Sequence, residues 1–160
     1  MKELGEKIVS YWGNRAEGYS EYNREELAGD KWQDWIAEIK KYLPKKEKSE
    51  IRILDIGTGP GFFAILLAQE GYQVTAVDCT AEMLTEAQEN AGVLAAQITW
   101  KQMDAQKLEF ADESFDLVLS RNLTWVLEEP ETAYQEWYRV LKPKGIMLNF
   151  DANWYRYLYD

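Results

Sequence analysis

Apolar positions recur along the chain with two alternating periods. Trp32, Trp35, Ile36, Ile39 and Leu43 follow helical spacing and predict a core-facing stripe, and residues 1–43 as a whole read as helical in two pieces. Pro44 to Glu50 is a charged linker opened by a helix breaker. Ile51, Ile53, Leu54 and Ile56 then form a short apolar run typical of a buried strand, followed by a helix over Phe62 to Glu70. Gln73 to Asp78 alternates as a strand does. Ala81 to Asn90 carries Met83, Leu84 and Ala87 on one helical face, with Thr80 placed to cap it. Strands are expected at Ile98 to Met103, Phe115 to Ser120 and Ile146 to Phe150. A helix opened by Pro130 buries Ala133, Trp137, Val140 and Leu141 and is stopped by Lys142-Pro143-Lys144-Gly145. Strand and helix alternate from Ile51 onward, which predicts an α/β architecture: a doubly wound, mainly parallel sheet with right-handed crossovers, in the order 3-2-1-4-5. Residues 1–50 form a helical cap and linker, residues 51–160 the α/β core, and together they make one domain.

The chemistry concentrates where the first strand ends. Asp55-Ile56-Gly57-Thr58-Gly59-Pro60-Gly61 places an acid at the strand end and three glycines on the turn into the next helix. Such a turn brings backbone N–H groups to a helix N-terminus, where the polar end of a ligand can approach closely; read alone, it is also compatible with a plain βα turn. The dinucleotide fingerprint G-x-G-x-x-G needs a third glycine where this chain has Phe62, so the spacing argues against a nicotinamide or flavin dinucleotide. The second strand also ends in an acid, Asp78, 21 positions beyond Gly57. In a βαβ unit an acid there accepts hydrogen bonds from ribose hydroxyls.

Asp55, Gly57, Gly59 and Gly61 resemble motif I of the class I S-adenosylmethionine-dependent methyltransferases, and Asp78-Cys79-Thr80-Ala81-Glu82-Met83-Leu84 is similar to that family's second motif. The resemblance covers roughly residues 10–151 and implies a Rossmann-like methyltransferase fold that binds S-adenosylmethionine and releases S-adenosylhomocysteine. It implies cofactor contacts from Asp55, Gly57, Thr58, Gly59, Gly61, Asp78, Cys79 and Met83. It also places Asp104 and Ala105 at the adenine, the first accepting from the exocyclic amine and the second donating its N–H, although an Asp after a strand is also an ordinary turn residue. Asn122 lies in a segment where the family makes cofactor and substrate contacts. Trp12-x-x-Arg15-Ala16-x-x-Tyr19 is similar to the opening of small-molecule methyltransferases, whose N-terminal helices fold over the cofactor, so Arg15 and Tyr19 are candidates to close over its methionine end; simple helix packing explains the same residues. The N-P-P-[YF] pattern of several N-methyltransferases is missing after the fourth strand.

Composition narrows the reaction. The chain has 160 residues, no histidine and a single cysteine, Cys79. A zinc site, a histidine-based triad and an internal disulfide are therefore ruled out, and no catalytic residue is named. The formal net charge is −10, and residues 51–160 carry 8 basic against 17 acidic side chains. Such a half repels phosphate backbones, so nucleic acid is not an expected partner. No apolar run reaches a membrane span and the N-terminus has no signal-peptide core, so no membrane partner and a cytoplasmic location are expected.

The expected function is methyl transfer from S-adenosylmethionine to a small-molecule acceptor. The alternatives are a cofactor-binding protein or fragment without activity and, remotely, a dinucleotide-dependent oxidoreductase. The family normally continues past the fifth strand with a helix and an antiparallel hairpin. The chain stops at Asp160, so the C-terminal hairpin is expected to be absent and the chain to be truncated, lacking part of the acceptor pocket. The fifth strand would then be an open edge, and self-association through it or through the aromatic tail Trp154-Tyr155-Arg156-Tyr157-Leu158-Tyr159 is expected.

Overall fold

The computed structural model describes residues 2–152; the aromatic tail lies outside the described residues. Three helices come first, α1 (Lys2–Gly13), α2 (Ala16–Ala28) and α3 (Trp32–Lys40). The sequence reading had two pieces. The extra break falls at Asn14-Arg15, directly after Gly13, so that two poor helix formers, Gly13 and Asn14, stand in succession. The core follows as β1 (Arg52–Ile56), α4 (Phe62–Gln69), β2 (Gln73–Asp78), α5 (Ala81–Ala91), β3 (Thr99–Gln102), β4 (Phe115–Arg121), α6 (Pro130–Val140) and β5 (Leu141–Phe150). All neighbouring strands pair in parallel, in the order β3-β2-β1-β4-β5.

Alternate residues of the central strands bury against opposite layers. Ile53, Leu117 and Leu119 pack with α3 and α4 on one face, together with Ile36, Ile39 and Leu67. Leu54, Ile56 and Val118 pack with α6 on the other, around Trp137 and Phe115. A parallel sheet covered on both faces requires strands apolar at successive positions, and β1 and β4 have that composition.

The fifth strand begins earlier than the pattern indicates. Leu141 already pairs with Phe115, the register shifts, and pairing resumes at Ile146 opposite Leu117. Lys142-Pro143-Lys144-Gly145, expected as a helix stop, is instead the bulge: Pro143 has no N–H for the ladder and Lys144 takes φ 66°. Thr80 stands at the N-cap of α5 but its side chain caps nothing; its hydroxyl meets the Cys79 thiol at 3.6 Å. Among the described residues no helix is long and apolar enough to cross a membrane.

Candidate active site

The C-terminal ends of β1 and β2 carry the site because the chain turns there without side chains. Gly57 and Gly59 adopt φ 65° and 54°, a region open to glycine at little cost. Asp55, fully buried at the end of β1, holds this turn from beneath. A single carboxylate oxygen accepts the Thr58 hydroxyl at 2.7 Å and the Ala64 N–H at 3.2 Å, joining loop to helix α4. Burial raises its pKa from 3.8 to about 7, against the lowering effect of those two donors. Thr58 further donates its N–H to Val77 O at 2.9 Å, which ties the turn to β2.

Asp78 is divided between the turn and the next helix. One oxygen accepts the Gly59 N–H at 3.0 Å, the other the Thr80 N–H at 2.9 Å. Burial raises its pKa while these N–H groups oppose the shift. Asp78 also lines the cavity at the strand ends. The neighbouring Cys79 thiol is pushed up by burial and by the Asp78 charge, which leaves it protonated and inert as a nucleophile at neutral pH.

A cavity of about 520 Å³ opens over these strand ends, within the range of small-molecule sites. Its floor is the glycine turn and Asp78, one side is Met83, Met103 and Ala105, and the roof is α1 through Ile8, Val9 and Trp12. Ala105 is fixed from behind, where its carbonyl accepts the indole N–H of fully buried Trp137 at 2.9 Å. Asp104 forms a tight turn, accepting the Gln106 N–H at 2.8 Å, and also lines the cavity. Across the cavity Tyr19 lies against Gly59, where an added Cβ would stand 3.5 Å from its ring. Its hydroxyl meets the Asn122 side chain, and burial raises its pKa despite the nearby Arg121 charge, so it remains a neutral phenol. Asn122 is held at φ 55° and donates its N–H to Phe150 O at 2.7 Å, locking the end of β4 to β5.

Of the residues expected from the sequence, Gly57, Gly59, Asp78, Cys79, Met83, Asp104, Ala105, Asn122 and Tyr19 share this one wall. Four others do not. Asp55 and Thr58 are buried beneath the turn and bond to each other, and Gly61 faces Ala87 of α5, where an added Cβ would stand 3.1 Å away. Arg15 is exposed at the start of α2, its guanidinium 4.9 Å from the Tyr11 ring centroid and bonded to the Tyr11 hydroxyl. An N-terminal cover through Trp12 and Tyr19 was expected, but Ile8 and Val9 were missed, although with Trp12 they carry a readable helical repeat. The Arg121 clamp was missed as well. Its guanidinium makes a bidentate pair with Glu26 of α2 at 2.8 and 3.0 Å and lies 4.9 Å from the ring centroids of both Trp35 and Phe62. Those partners are 95 positions apart, a pairing that no local pattern announces.

The donor set fits an adenosyl sulfonium cofactor. At Gly57 an added Cβ would press to 2.9 Å on Leu123, so the turn leaves only backbone toward the cavity. A buried carboxylate faces that space for ribose hydroxyls, and apolar Met83, Met103 and Ala105 flank it for a flat base. Fold and site together define the cofactor domain of a class I S-adenosylmethionine-dependent methyltransferase. The particular family follows from comparison: residues 54–149 match the family described as "Methyltransferase domain", and the chain belongs to it.

Among its relatives, the malonyl-[acyl-carrier protein] O-methyltransferase of Erwinia billingiae is 31% identical over 88% of this chain and 51% of its own length. A solved S-adenosylmethionine-dependent methyltransferase of Methanosarcina mazei is 34% identical over 76% of this chain and 60% of that one, with a TM-score of 0.62. "Phospholethanolamine N-methyltransferase 2" of Haemonchus contortus was solved with phosphomonomethylethanolamine and S-adenosylhomocysteine. It is 35% identical over 70% of this chain and 26% of that one, with a TM-score of 0.60. The chain spans about half the length of the curated relatives it matches.

Proposed function

We propose that this chain transfers the methyl group of S-adenosylmethionine to a small-molecule acceptor held in the 520 Å³ cavity. The observation that carries the reading is that α1 and Tyr19 border the same cavity as the glycine turn and Asp78, a space of small-molecule size. The relatives named above act on different acceptors, so the acceptor is argued from this cavity rather than borrowed from them.

When bound, the cofactor supplies an electrophilic methyl group on a sulfonium. Asp78 accepts from the ribose hydroxyls, and the Asp104-Ala105 turn borders the adenine. The apolar roof residues Ile8, Val9 and Trp12 exclude water from the reacting atoms. Held by Asp78 and the Asp104-Ala105 turn, the sulfonium would supply its methyl group to the acceptor's own lone pair. The chain has no histidine, and Tyr19 and Cys79 stay protonated, so a base among the cavity residues would be a carboxylate, and otherwise the acceptor ionises by itself. Positioning carries the acceleration and can supply on the order of 7–11 kcal/mol. A cytoplasmic location accords with this chemistry and with the single unpaired thiol.

Calorimetry with S-adenosylhomocysteine and, in parallel, NAD tests the cofactor assignment. Binding of the first alone is expected, and Asp78→Ala should weaken it by about 1–3 kcal/mol, the range for a hydrogen bond to a charged group. Unchanged affinity in that variant, or preference for NAD, refutes the site. Release of S-adenosylhomocysteine with a panel of small acceptors then tests transfer.

A further inference from the structure

Resting on the methyltransferase reading, the charge and aromatic content of the cavity wall narrow the acceptor. Among the described residues the wall carries four carboxylates, Glu6, Asp78, Asp104 and Glu128, and one cation, Arg121. Arg121 is already neutralised by Glu26 and sandwiched between Trp35 and Phe62, so it has little left for a second anion. Asp78 and Asp104 belong to the cofactor side, at the ends of β2 and β3, and each accepts backbone N–H groups. Glu6 and Glu128 line the same cavity from other segments of the chain. Glu6 is on α1, and the Glu128 carboxylate reaches α1 at Gly5, where an added Cβ would stand 3.1 Å from its Oε1. Among the described residues neither forms an ion pair, whereas Glu3 on the same helix is bonded to Lys7.

The same cavity holds an aromatic corner. Trp12 and Tyr19 both line the cavity and meet at 66° with ring centroids 5.8 Å apart. Trp125 abuts Trp12 from outside at 6.2 Å. Rings set at an angle beside carboxylates attract a cation through their π-faces and through its full charge, and they repel an anion.

We propose that the acceptor is a small cation, an alkylammonium-bearing molecule, recognised by Glu128 and Glu6 together with the faces of Trp12 and Tyr19. A free carboxylate or phosphate acceptor is disfavoured, because among the described residues the wall offers it no unpaired cation. An amine that is itself methylated must first lose its ammonium proton to solvent before its lone pair can attack.

The test uses the full chain saturated with S-adenosylhomocysteine, whose sulfur is uncharged. Three probes of nearly one shape are titrated by calorimetry: choline, its uncharged isostere 3,3-dimethylbutan-1-ol, and the anion 3,3-dimethylbutanoate. Choline is expected to bind roughly tenfold more tightly than the alcohol, and the anion more weakly than either. In Glu128→Gln the ratio of choline to alcohol affinity should fall severalfold; scoring the ratio cancels any general loss of fit. Equal binding of choline and the alcohol, preference for the anion, an unchanged ratio in E128Q, or binding of no probe would each overturn the inference. Failure of S-adenosylhomocysteine itself to bind would instead overturn the cofactor reading on which it rests.

Discussion

The buried carboxylate of Asp55 makes the stability of this protein fall with rising pH near neutrality. Its pKa moves from an ordinary 3.8 to about 7 in the folded chain, because burial penalises the charge by more than Thr58 and Ala64 relieve. For an acid raised on folding, the native state holds the proton that the unfolded chain has lost, so stability is greatest at low pH and drains away as pH rises to the folded pKa. Roughly three units at about 1.36 kcal/mol each give a total on the order of 4 kcal/mol, of which about 3 kcal/mol falls between pH 5 and pH 8. The chain has no histidine, and Glu38, Glu70, Asp116 and Glu136, whose pKa values are lowered by their cationic neighbours and hydrogen bonds, contribute with the opposite sign, so they do not mimic the Asp55 effect. Asp78 shifts in the same direction as Asp55, so the comparison needs a variant that changes Asp55 alone. Asp55→Asn is that variant, since both donors converge on one oxygen and an amide carbonyl can accept both while the NH₂ takes the other position. Urea unfolding followed by tryptophan fluorescence should give D55N a stability close to the parent at pH 5 and clearly above it at pH 8. Stabilities that run parallel across the range would refute the reasoning.

Two further substitutions address the cavity wall. Gly57→Ala forces a side chain into φ 65° and against Leu123, which should cost about 1–2 kcal/mol from the backbone alone and weaken S-adenosylhomocysteine binding; wild-type affinity and melting temperature would contradict this. Trp137→Phe keeps an aromatic ring but leaves the Ala105 carbonyl without its indole donor, at an expected cost of about 1–3 kcal/mol in chemical denaturation, and loosens the adenine-side wall so that cofactor affinity falls as well.

Much of this molecule was legible in one dimension. A parallel sheet buried on both faces leaves apolar runs at Ile51 to Ile56, interrupted by Arg52 and Asp55, and at Leu117 to Leu119, with glycines or acids beside them as local signals. Local signals therefore located the strands and the glycine turn and fixed the order of the sheet. They failed where a contact joins distant segments. The motif residues Asp55, Thr58 and Gly61 look alike in sequence to those that line the cavity, yet they support the turn from below, because successive residues of a turn leaving a strand point to different sides. Likewise the four-residue stop after α6 became a bulge only because β4 supplied a pairing partner. The roof depended on where α1 docks, and the Arg121–Glu26 clamp depended on α2 crossing the end of β4, both long-range outcomes of burying the cap against the core. The sequence alone thus determined which chemistry is present, since absent histidines and spaced glycines are facts of composition. Only the tertiary structure decided which of those groups face one cavity, because side-chain direction is set by packing between elements that local pattern does not relate.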